Sequence, residues 1–270
     1  MKKAFVTYLG SDDFLPGVLV LSESLKRHNK EDLVIIVSSS ISSKVVSFLR
    51  EKRFKIRIVD EIKNPNVFVN DIRGFRCVYT KLHMFGLVEF DKIVYIDADM
   101  LVCECIEPLF EKPHMSAVIA GALAPENSDW IKLNSGLLVV EPNSNLFERL
   151  KSLTFELPSE TKDDQGFLQS YYDKWPQEEQ LHLEHKYNIP AHYLEKYCDK
   201  FDFEFSYVNG VLSTRNIAIL HYWGVFKPWH CNPKELLEKN PGKYVQSLKL
   251  WLDYSNSTLE RRAHSARNFS

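Results

Sequence analysis

The feature that most constrains the fold is an alternation of apolar runs and amphipathic segments in the N-terminal part of the chain. Three short apolar runs, at residues 4–9, 33–37 and 56–59, predict buried strands. Two segments between them, residues 17–28 and 42–52, have apolar side chains at helical spacing. Strands that alternate with helices form parallel sheets covered on both faces. We therefore predict an α/β fold with a mostly parallel central sheet flanked by helices.

Composition excludes several classes of protein. The 270 residues include 36 acidic and 34 basic side chains, so the net charge of −2 disfavours nucleic-acid binding by bulk charge. We expect no membrane span, because no apolar stretch approaches the ~20 residues needed. The N-terminus resembles a first strand more than a signal peptide. The five cysteines are odd in number and scattered, which favours reduced thiols and a cytoplasmic location.

Two carboxylates follow the strongest predicted strand, residues 92–96. Asp97 and Asp99 come directly after this apolar run, separated by Ala98. Ligands bind at the carboxyl ends of the strands in open α/β sheets, and carboxylates are preferred ligands of hard divalent cations. The alternative is a solvated acidic loop, although a strand end is a poor place for two unneutralised charges. The pair predicts a metal site at this end of the sheet.

A second motif follows the last predicted strand, residues 217–220. His221 can supply an imidazole ligand to the same metal, and Gly224 lets the backbone approach a ligand closely. Lys227, stiffened by Pro228, suits phosphate oxygens. The alternative interpretation is an aromatic corner of the core that contains a satisfied histidine.

Smaller polar clusters begin other elements. Asn134 and Ser135 precede an apolar strand, whereas Asp164 and Gln165 begin a helix. Such side chains can hold sugar hydroxyls, although each cluster alone is an ordinary turn or helix cap. Lys81 lies near the start of another predicted helix, where anions are favoured. No dehydrogenase, P-loop, zincin or serine-hydrolase motif is present.

Taken in order, these motifs resemble glycosyltransferase family 8, and most closely its glycogenin-like branch, which includes galactinol synthases. The resemblance covers about residues 4–231. It rests on the following segments: Val6-Thr7-Tyr8, Ser24-Leu25, Thr80-Lys81-Leu82, Tyr95-Ile96-Asp97-Ala98-Asp99, Asn134-Ser135-Gly136, Asp164-Gln165-Gly166 and His221-x-x-Gly224-x-x-Lys227-Pro228-Trp229.

The resemblance implies a GT-A fold, a single Rossmann-like domain over residues 1–231, with a helical extension over residues 232–270. It implies a retaining enzyme that moves a hexose, glucose or galactose, from a UDP-sugar to a hydroxyl of a carbohydrate, polyol or protein. Mn²⁺ is the implied cofactor, with Mg²⁺ as a substitute, and a homodimer is an expected assembly. The alternatives are a self-glycosylating primer protein and a nucleotide-sugar-binding protein without turnover.

The resemblance also assigns roles to residues. Asp97, Asp99 and His221 are the implied metal ligands, and Asp164, Gln165 and Lys227 are the implied catalytic residues. The implied donor-binding residues are Tyr8, Ser11, Phe14, Arg73, Lys81, Asp97, Ala98, Asn134, Ser135, Gly224 and Lys227. For retention we favour attack from the face of the leaving group, with the departing phosphate as base. A covalent intermediate on Asp164 is the alternative.

Three features depart from the family pattern. Thr161 stands where glycogenins have an aspartate. Arg73 is one residue from its expected spacing to Lys81, and Arg76 is a substitute. The segment 188–216 is longer than in glycogenin, so Tyr193 and Tyr197 are only neighbouring candidates for a self-glycosylated tyrosine.

Overall fold

A computed structural model describes residues 1–66, 75–121, 127, 129–224, 227–232 and 242–267. The strands are β1 (Lys3–Leu9), β2 (Leu33–Ser38), β3 (Lys55–Val59), β4 (Lys92–Ile96), β5 (Met100–Val102), β6 (Leu137–Val140), β7 (Ile189–Pro190), β8 (Glu204–Val208), β9 (Val211–Arg215) and β10 (Ile219–His221). The α-helices are α1 (Leu15–His28), α2 (Ser43–Glu51), α3 (Ser144–Leu153), α4 (Asp164–Tyr171), α5 (Leu194–Phe201) and α6 (Lys243–Arg267). The prediction of an α/β fold with a mostly parallel central sheet is confirmed.

The described chain divides into two compact units. The first comprises Met1–Leu15, Glu31–Ala98 and Glu107–His185, and the second comprises Pro16–Lys30, Asp99–Ile106 and Lys186–Ser270. The boundary that the sequence places at residue 231 stays a prediction.

The first unit contains a five-stranded sheet in the order β3-β2-β1-β4-β6. Its first four strands are parallel, and β6 is antiparallel to β4. Strand β4 is buried along its whole length, and β1 is buried from Ala4 to Val6 and at Leu9. Strands buried on both faces have continuous apolar sequences rather than alternating ones. This explains why apolar runs alone located both strands.

Two predicted elements differ from the structure. The apolar spacing of residues 79–90 predicts a helix, and the structure has a 3₁₀ helix at Phe75–Gly86. The apolar run at residues 116–122 predicts a strand, and in its described part the structure has only single bridges at Ala117 and Ile119. The reason is that consecutive backbone groups in this segment bond to different partners. The N–H of Ala117 donates to Leu181, whereas the carbonyl of Val118 accepts from Asn134.

The second unit is built around α6 and a three-stranded sheet in the order β5-β10-β7. The Tyr222 hydroxyl donates to the Ser247 carbonyl at 2.9 Å, and the Arg27 guanidinium lies 3.9 Å from the centre of the Tyr254 ring. Trp251 is fully buried. Helix α6 is therefore part of the core of this unit. The sequence predicts helical structure over residues 234–254, interrupted at Pro241-Gly242. The part of this segment before the interruption lies outside the described residues, and the part after it is helical in α6, which ends at Arg267.

The hairpin β8-β9 and helix α5 in the second unit were not predicted from the sequence. The hairpin turns at Asn209 and Gly210, whose φ angles of 50° and 79° are both positive. An Asn-Gly pair with this conformation is the preferred two-residue hairpin turn. Among the residues that the structure describes, no helix combines the length and the apolar character needed to cross a bilayer.

Burial in the first unit predicts the stability of two isoleucine variants. Ile93 in β4 is fully buried, whereas Ile58 in the edge strand β3 is 47% exposed. We expect Ile93→Ala to lower the free energy of unfolding by about 2–5 kcal/mol, because it leaves a cavity in the core. Ile58→Ala, the matched control, should cost about 1 kcal/mol or less. Urea unfolding of both variants measures the difference, and equal losses would contradict this account of the sheet.

Candidate functional site

The end of β4 positions the first acidic residue of the motif. The Asp97 N–H donates to the Gly136 carbonyl at 2.8 Å, extending the pairing of β4 with β6 by one residue. The Tyr95 hydroxyl donates to Asp97 Oδ1 at 2.7 Å, and Ala98 is buried. The sheet and one phenol therefore orient the Asp97 carboxylate.

A buried lysine bridges two carboxylates in the first unit. Lys81 Nζ lies 3.0 Å from Asp97 Oδ1 and 2.8 Å from Asp164 Oδ2. Burial raises the pKa of Asp164 to about 6, although Lys81 opposes this increase. Burial also favours a neutral Lys81, but Asp164 and Asp97 outweigh it and raise the pKa of Lys81. Lys81, which the sequence predicted to lie near an anionic ligand, is thus bound to two acidic residues of the chain itself.

The N-terminus of α4 positions Asp164 and Gln165. The Asp163 carboxylate accepts a hydrogen bond from the Gly166 N–H at 3.1 Å, which is a helix N-cap. The Thr161 hydroxyl accepts from the same N–H at 2.8 Å and donates to Asp163. Thr161, the departure from the family pattern, therefore supports the cap that begins this helix.

The turn before β6 brings the other predicted sugar-facing residues to α4. The Ser135 N–H donates to Gln165 Oε1 at 3.2 Å, and Asn134 Oδ1 accepts from the Gly136 N–H at 2.8 Å. Ser135 is buried, whereas Asn134 and Gln165 are half-buried. The structure thus places Ser135 and Gln165 in contact, and their roles stay predictions.

The residues expected near the nucleoside lie at and after the end of β1. The half-buried Tyr8 donates its hydroxyl hydrogen to the Cys77 carbonyl at 3.2 Å, and burial raises its pKa to about 12. Ser11 is exposed and precedes the short 3₁₀ turn that ends at the half-buried Phe14. Arg73 lies outside the described residues.

A polar cluster beside Tyr8 was missed by the sequence analysis. The Glu61 carboxylate accepts hydrogen bonds from Ser38 Oγ at 2.9 Å and from Cys77 Sγ at 3.0 Å. Hydrogen bonds from Ser40 and Cys77 lower the pKa of Glu61, whereas burial raises the pKa of the Cys77 thiol to about 11. Ser38 ends β2 and Glu61 follows β3. Their positions at the carboxyl ends of parallel strands were the signal that could have identified them.

In the second unit, Asp99 is held by two basic side chains. Its Oδ1 lies 3.3 Å from His221 Nε2, and its Oδ2 lies 2.5 Å from Lys227 Nζ. Lys227 also donates to the Tyr222 carbonyl at 3.1 Å. Burial disfavours the Asp99 carboxylate, but His221 and Lys227 outweigh it and hold its pKa well below the ordinary value. Asp99 is therefore charged at neutral pH.

A residue that was not predicted orients His221. Asn188 Oδ1 lies 2.9 Å from His221 Nδ1. Because an amide oxygen only accepts, Nδ1 is the donor in this contact, and Nε2 is the ring nitrogen that faces Asp99. A hydrogen-bonded second nitrogen is the usual arrangement for a histidine that binds a metal. Asn188 escaped prediction because it depends on the pairing of β7 with β10.

Gly224 follows His221 in a backbone conformation that requires glycine. Its φ is +96°, in the region that L-residues rarely adopt, and no atom lies within 4 Å of the position that a Cβ would occupy. The backbone here is therefore open as well as sharply turned. The sequence prediction of a close backbone approach at Gly224 is compatible with this geometry.

The predicted metal ligands form a suitable donor set. One oxygen of Asp97, one oxygen of Asp99 and one ring nitrogen of His221 all lie within 4.8 Å of one another. No other such group of three or more His, Cys, Asp or Glu side chains occurs in the part of the chain that the structure describes. Two carboxylates and a neutral imidazole suit a divalent cation such as Mn²⁺ or Mg²⁺.

The bridge made by Lys81 predicts a pH-dependent loss of stability. The pKa of Asp164 is raised in the folded state from 3.8 to about 6, so its contribution to stability is full below pH 3.8 and is lost as the pH rises through 6. We expect Lys81→Met to cost roughly 3 kcal/mol at pH 8, because two carboxylates then lack their cation. The loss should be smaller at pH 5, where Asp164 is protonated.

The control for this prediction is Lys132→Met. Lys132 Nζ lies 2.9 Å from Glu160 in an exposed ion pair, whose loss should cost about 1 kcal/mol or less at either pH. Denaturant unfolding of both variants at the two pH values provides the measurement. A loss for Lys81→Met that is the same at pH 5 and pH 8 would show that Asp164 does not titrate as described.

Solved structures similar to this chain share its fold. The glycosyltransferase GlyE of Streptococcus pneumoniae TIGR4 matches with a TM-score of 0.59 and 20% identity, over 98% of this chain and 65% of that one. An active-site mutant of LgtC matches with a TM-score of 0.59 and 15% identity, over 94% of this chain and 95% of that one. At these identities the likeness shows the fold alone, which is the GT-A fold.

Sequence relatives fall into two groups. Inositol phosphorylceramide glucuronosyltransferase 1 of Arabidopsis thaliana is 38% identical over 176 residues, which is 65% of this chain and 31% of that protein. Putative UDP-glucuronate:xylan alpha-glucuronosyltransferase 3 of the same plant is 32% identical over 85% of this chain and 35% of that protein. Glycogenin-1 of Mus musculus is 28% identical over 84% of this chain and 66% of that protein. The chain thus spans about a third of the length of these Arabidopsis relatives.

A family model also matches most of the chain. The model described as Glycosyl transferase family 8 covers residues 5–232, which include the ends of β1 and β4, the N-terminus of α4 and the motif after β10. The family resemblance predicted from the sequence motifs is confirmed. This chain belongs to glycosyltransferase family 8.

Proposed function

We propose that this protein is a metal-dependent glycosyltransferase that moves a sugar from a UDP-sugar to a hydroxyl acceptor with retention of anomeric configuration. The observation that carries the proposal is the ligand set of Asp97, Asp99 and His221, with Lys227 bound to the same Asp99 carboxylate. Family membership supports sugar transfer, and this donor set supports the metal.

The residues would divide the work as follows. Asp97, Asp99 and His221 would hold Mn²⁺, or Mg²⁺ in its place, which when bound supplies positive charge to the diphosphate leaving group. Asn188 holds the His221 ring through Nδ1, so that Nε2, which faces Asp99, is the nitrogen that would bind the metal. Lys227 is the basic side chain that would contact the diphosphate. To do so, its ammonium group would have to break its ion pair with Asp99.

The pairing of Asp164 favours one mechanism of retention. Its carboxylate is buried and bound to Lys81, and burial raises its pKa. A carboxylate in an ion pair is a weak nucleophile, because attack must break that pair. We therefore assign Asp164 to the positioning of Lys81. The acceptor hydroxyl would attack from the face that the UDP leaves, and the departing phosphate oxygen would take its proton.

The relatives suggest which donors to test. The sequence prediction named glucose and galactose, from a resemblance to the glycogenin-like branch, and glycogenin-1 is among the relatives. Two of the relatives named above are glucuronosyltransferases. UDP-glucose, UDP-galactose and UDP-glucuronate are thus the donor panel. The homodimer and the cytoplasmic location stay predictions.

Loss of Asp99 tests the proposed function. We expect the wild-type chain to release UDP from at least one donor of the panel in the presence of Mn²⁺, and to stop when a chelator is added. Asp99→Ala should lower this rate by at least about 100-fold, because the charge that develops on the diphosphate is no longer balanced. Asp199→Ala, an exposed acidic residue of the same unit, is the matched control and should keep the wild-type rate.

The outcomes separate the candidate functions. Near-normal UDP release by Asp99→Ala would contradict the metal proposal. Donor binding by the wild type without UDP release would indicate a binding protein without turnover. A gain of sugar by the protein, seen in its intact mass, would instead indicate self-glycosylation.

Loss of the Asp164 carboxylate tests the mechanism. Mass spectrometry of wild-type protein, quenched during turnover, should show no sugar on the α4 peptide that contains Asp164. Asp164→Asn should lower the rate without accumulating any adduct, because Lys81 then keeps only Asp97 as its partner. A glycosylated Asp164 in the wild type would establish the covalent mechanism instead.

A further inference from the structure

Three aromatic rings form an exposed cluster in the second unit. The His192 ring centre lies 4.2 Å from that of Tyr193 and 4.5 Å from that of Trp223, which it meets at an angle of 70°. The ammonium of Lys196 lies 4.7 Å from the centre of the Tyr193 ring. Tilted and edge-to-face contacts of this kind hold rings in fixed orientations. We call His192, Tyr193 and Trp223 the aromatic platform.

Strand pairing places the platform next to His221. β7 and β10 are parallel neighbours, and Pro190 is paired with His221. The segments that follow these two strands then leave the sheet at the same edge. His192 is two residues beyond Pro190, and Trp223 is two residues beyond His221. His192 and Trp223 are thus the same number of residues beyond a paired position, and their rings are in contact.

Two rings of the platform, those of His192 and Trp223, are exposed to solvent. Trp223 is 45% exposed, and among the described residues no other tryptophan is an exposed large apolar side chain. His192 is also exposed, and Tyr193 is half-buried. Covering an indole of this size is strongly favourable. An indole that is held by neighbouring rings, and still faces solvent, is available to a ligand.

The chemistry of the platform selects a class of ligand. One face of a pyranose ring presents C–H groups, and its hydroxyls lie around the rim. A flat indole can cover the C–H face through dispersion and the negative potential of its π system, while the rim stays hydrated. A linear polyol lacks a rigid apolar face, and a protein acceptor would need a much larger contact area.

We propose that His192 and Trp223 form the acceptor subsite, where the Trp223 indole stacks on the pyranose ring of a carbohydrate acceptor. This inference rests on the proposed function, because it places the ring beside His221 so that one acceptor hydroxyl reaches the reaction centre. Trp223 binds the face of the ring, and His192 holds the indole in place.

The test compares acceptor transfer with donor hydrolysis. The probes are the methyl glycosides of glucose, galactose and xylose, with glycerol as an acceptor that has no ring. In the presence of an active donor, Trp223→Ala should lower the ratio of transfer to hydrolysis by at least tenfold, mainly by raising the KM for the glycoside. Trp223→Phe should have a ratio of transfer to hydrolysis close to that of the wild type, because a flat aromatic ring remains. His192→Ala should cause a smaller loss.

The control is Phe155→Ala, which removes an aromatic side chain that is 76% exposed and belongs to the first unit. This variant should keep the wild-type ratio. Transfer by Trp223→Ala at the wild-type ratio would overturn the proposal, and so would a wild type that prefers glycerol to every glycoside. Melting temperatures verify that each variant is folded.

A second measurement separates this inference from the proposed function. Binding of the glycosides is followed by tryptophan fluorescence, which needs no turnover. Suppose that the wild type releases no UDP but its fluorescence changes saturably with glycoside, and that this change is absent in Trp223→Phe. That result would support the platform and contradict the proposed function. UDP release without any fluorescence change or transfer on addition of the glycosides would keep the proposed function and overturn the platform.

Discussion

The site depends on neutralising two carboxylates that stand two residues apart at the end of a buried strand. Asp97 is bound to Lys81, and Asp99 is bound to Lys227 and His221. Unpaired charges in partly or fully buried positions are costly, and each of these two acidic residues is paired with a lysine. Both lysines are among the residues assigned to the donor. On the proposed function, binding of a divalent cation and a diphosphate would replace these ion pairs. The carboxylates would then contact the cation, and the lysines would contact the diphosphate.

Strand order explains why residues far apart in sequence serve one site. In the second unit, β10 lies between β5 and β7. Its antiparallel pairing with β5 brings His221 opposite Met100, directly after Asp99. Its parallel pairing with β7 brings Asn188 to the His221 ring and sets His192 beside Trp223. One short strand thus orients the imidazole and positions the platform.

Much of the fold was predictable because its strongest signals are local. Continuous apolar runs located β1, β2 and β4, and helical spacing located α1 and α2. The prediction failed where structure depends on partners. Residues 116–121 are apolar enough for a strand, but their backbone groups bond to several different segments. In the hairpin β8-β9, buried Phe205 and Tyr207 alternate with more exposed side chains in β8, whereas no side chain of β9 is buried. The clearest local cue to the hairpin is Asn209-Gly210.

By itself, the sequence determined the family, the parallel sheet and the identity of the candidate ligands, because these follow from residue type and from spacing along the chain. Tertiary structure alone decided which groups are paired: that Lys81 bridges Asp97 and Asp164, and that Asn188 contacts Nδ1 of His221. It also decided that Trp223 is exposed and held by His192. The physical reason is that burial and electrostatic pairing depend on the distances between segments of the chain. Strand register sets these distances, and the local sequence does not encode them.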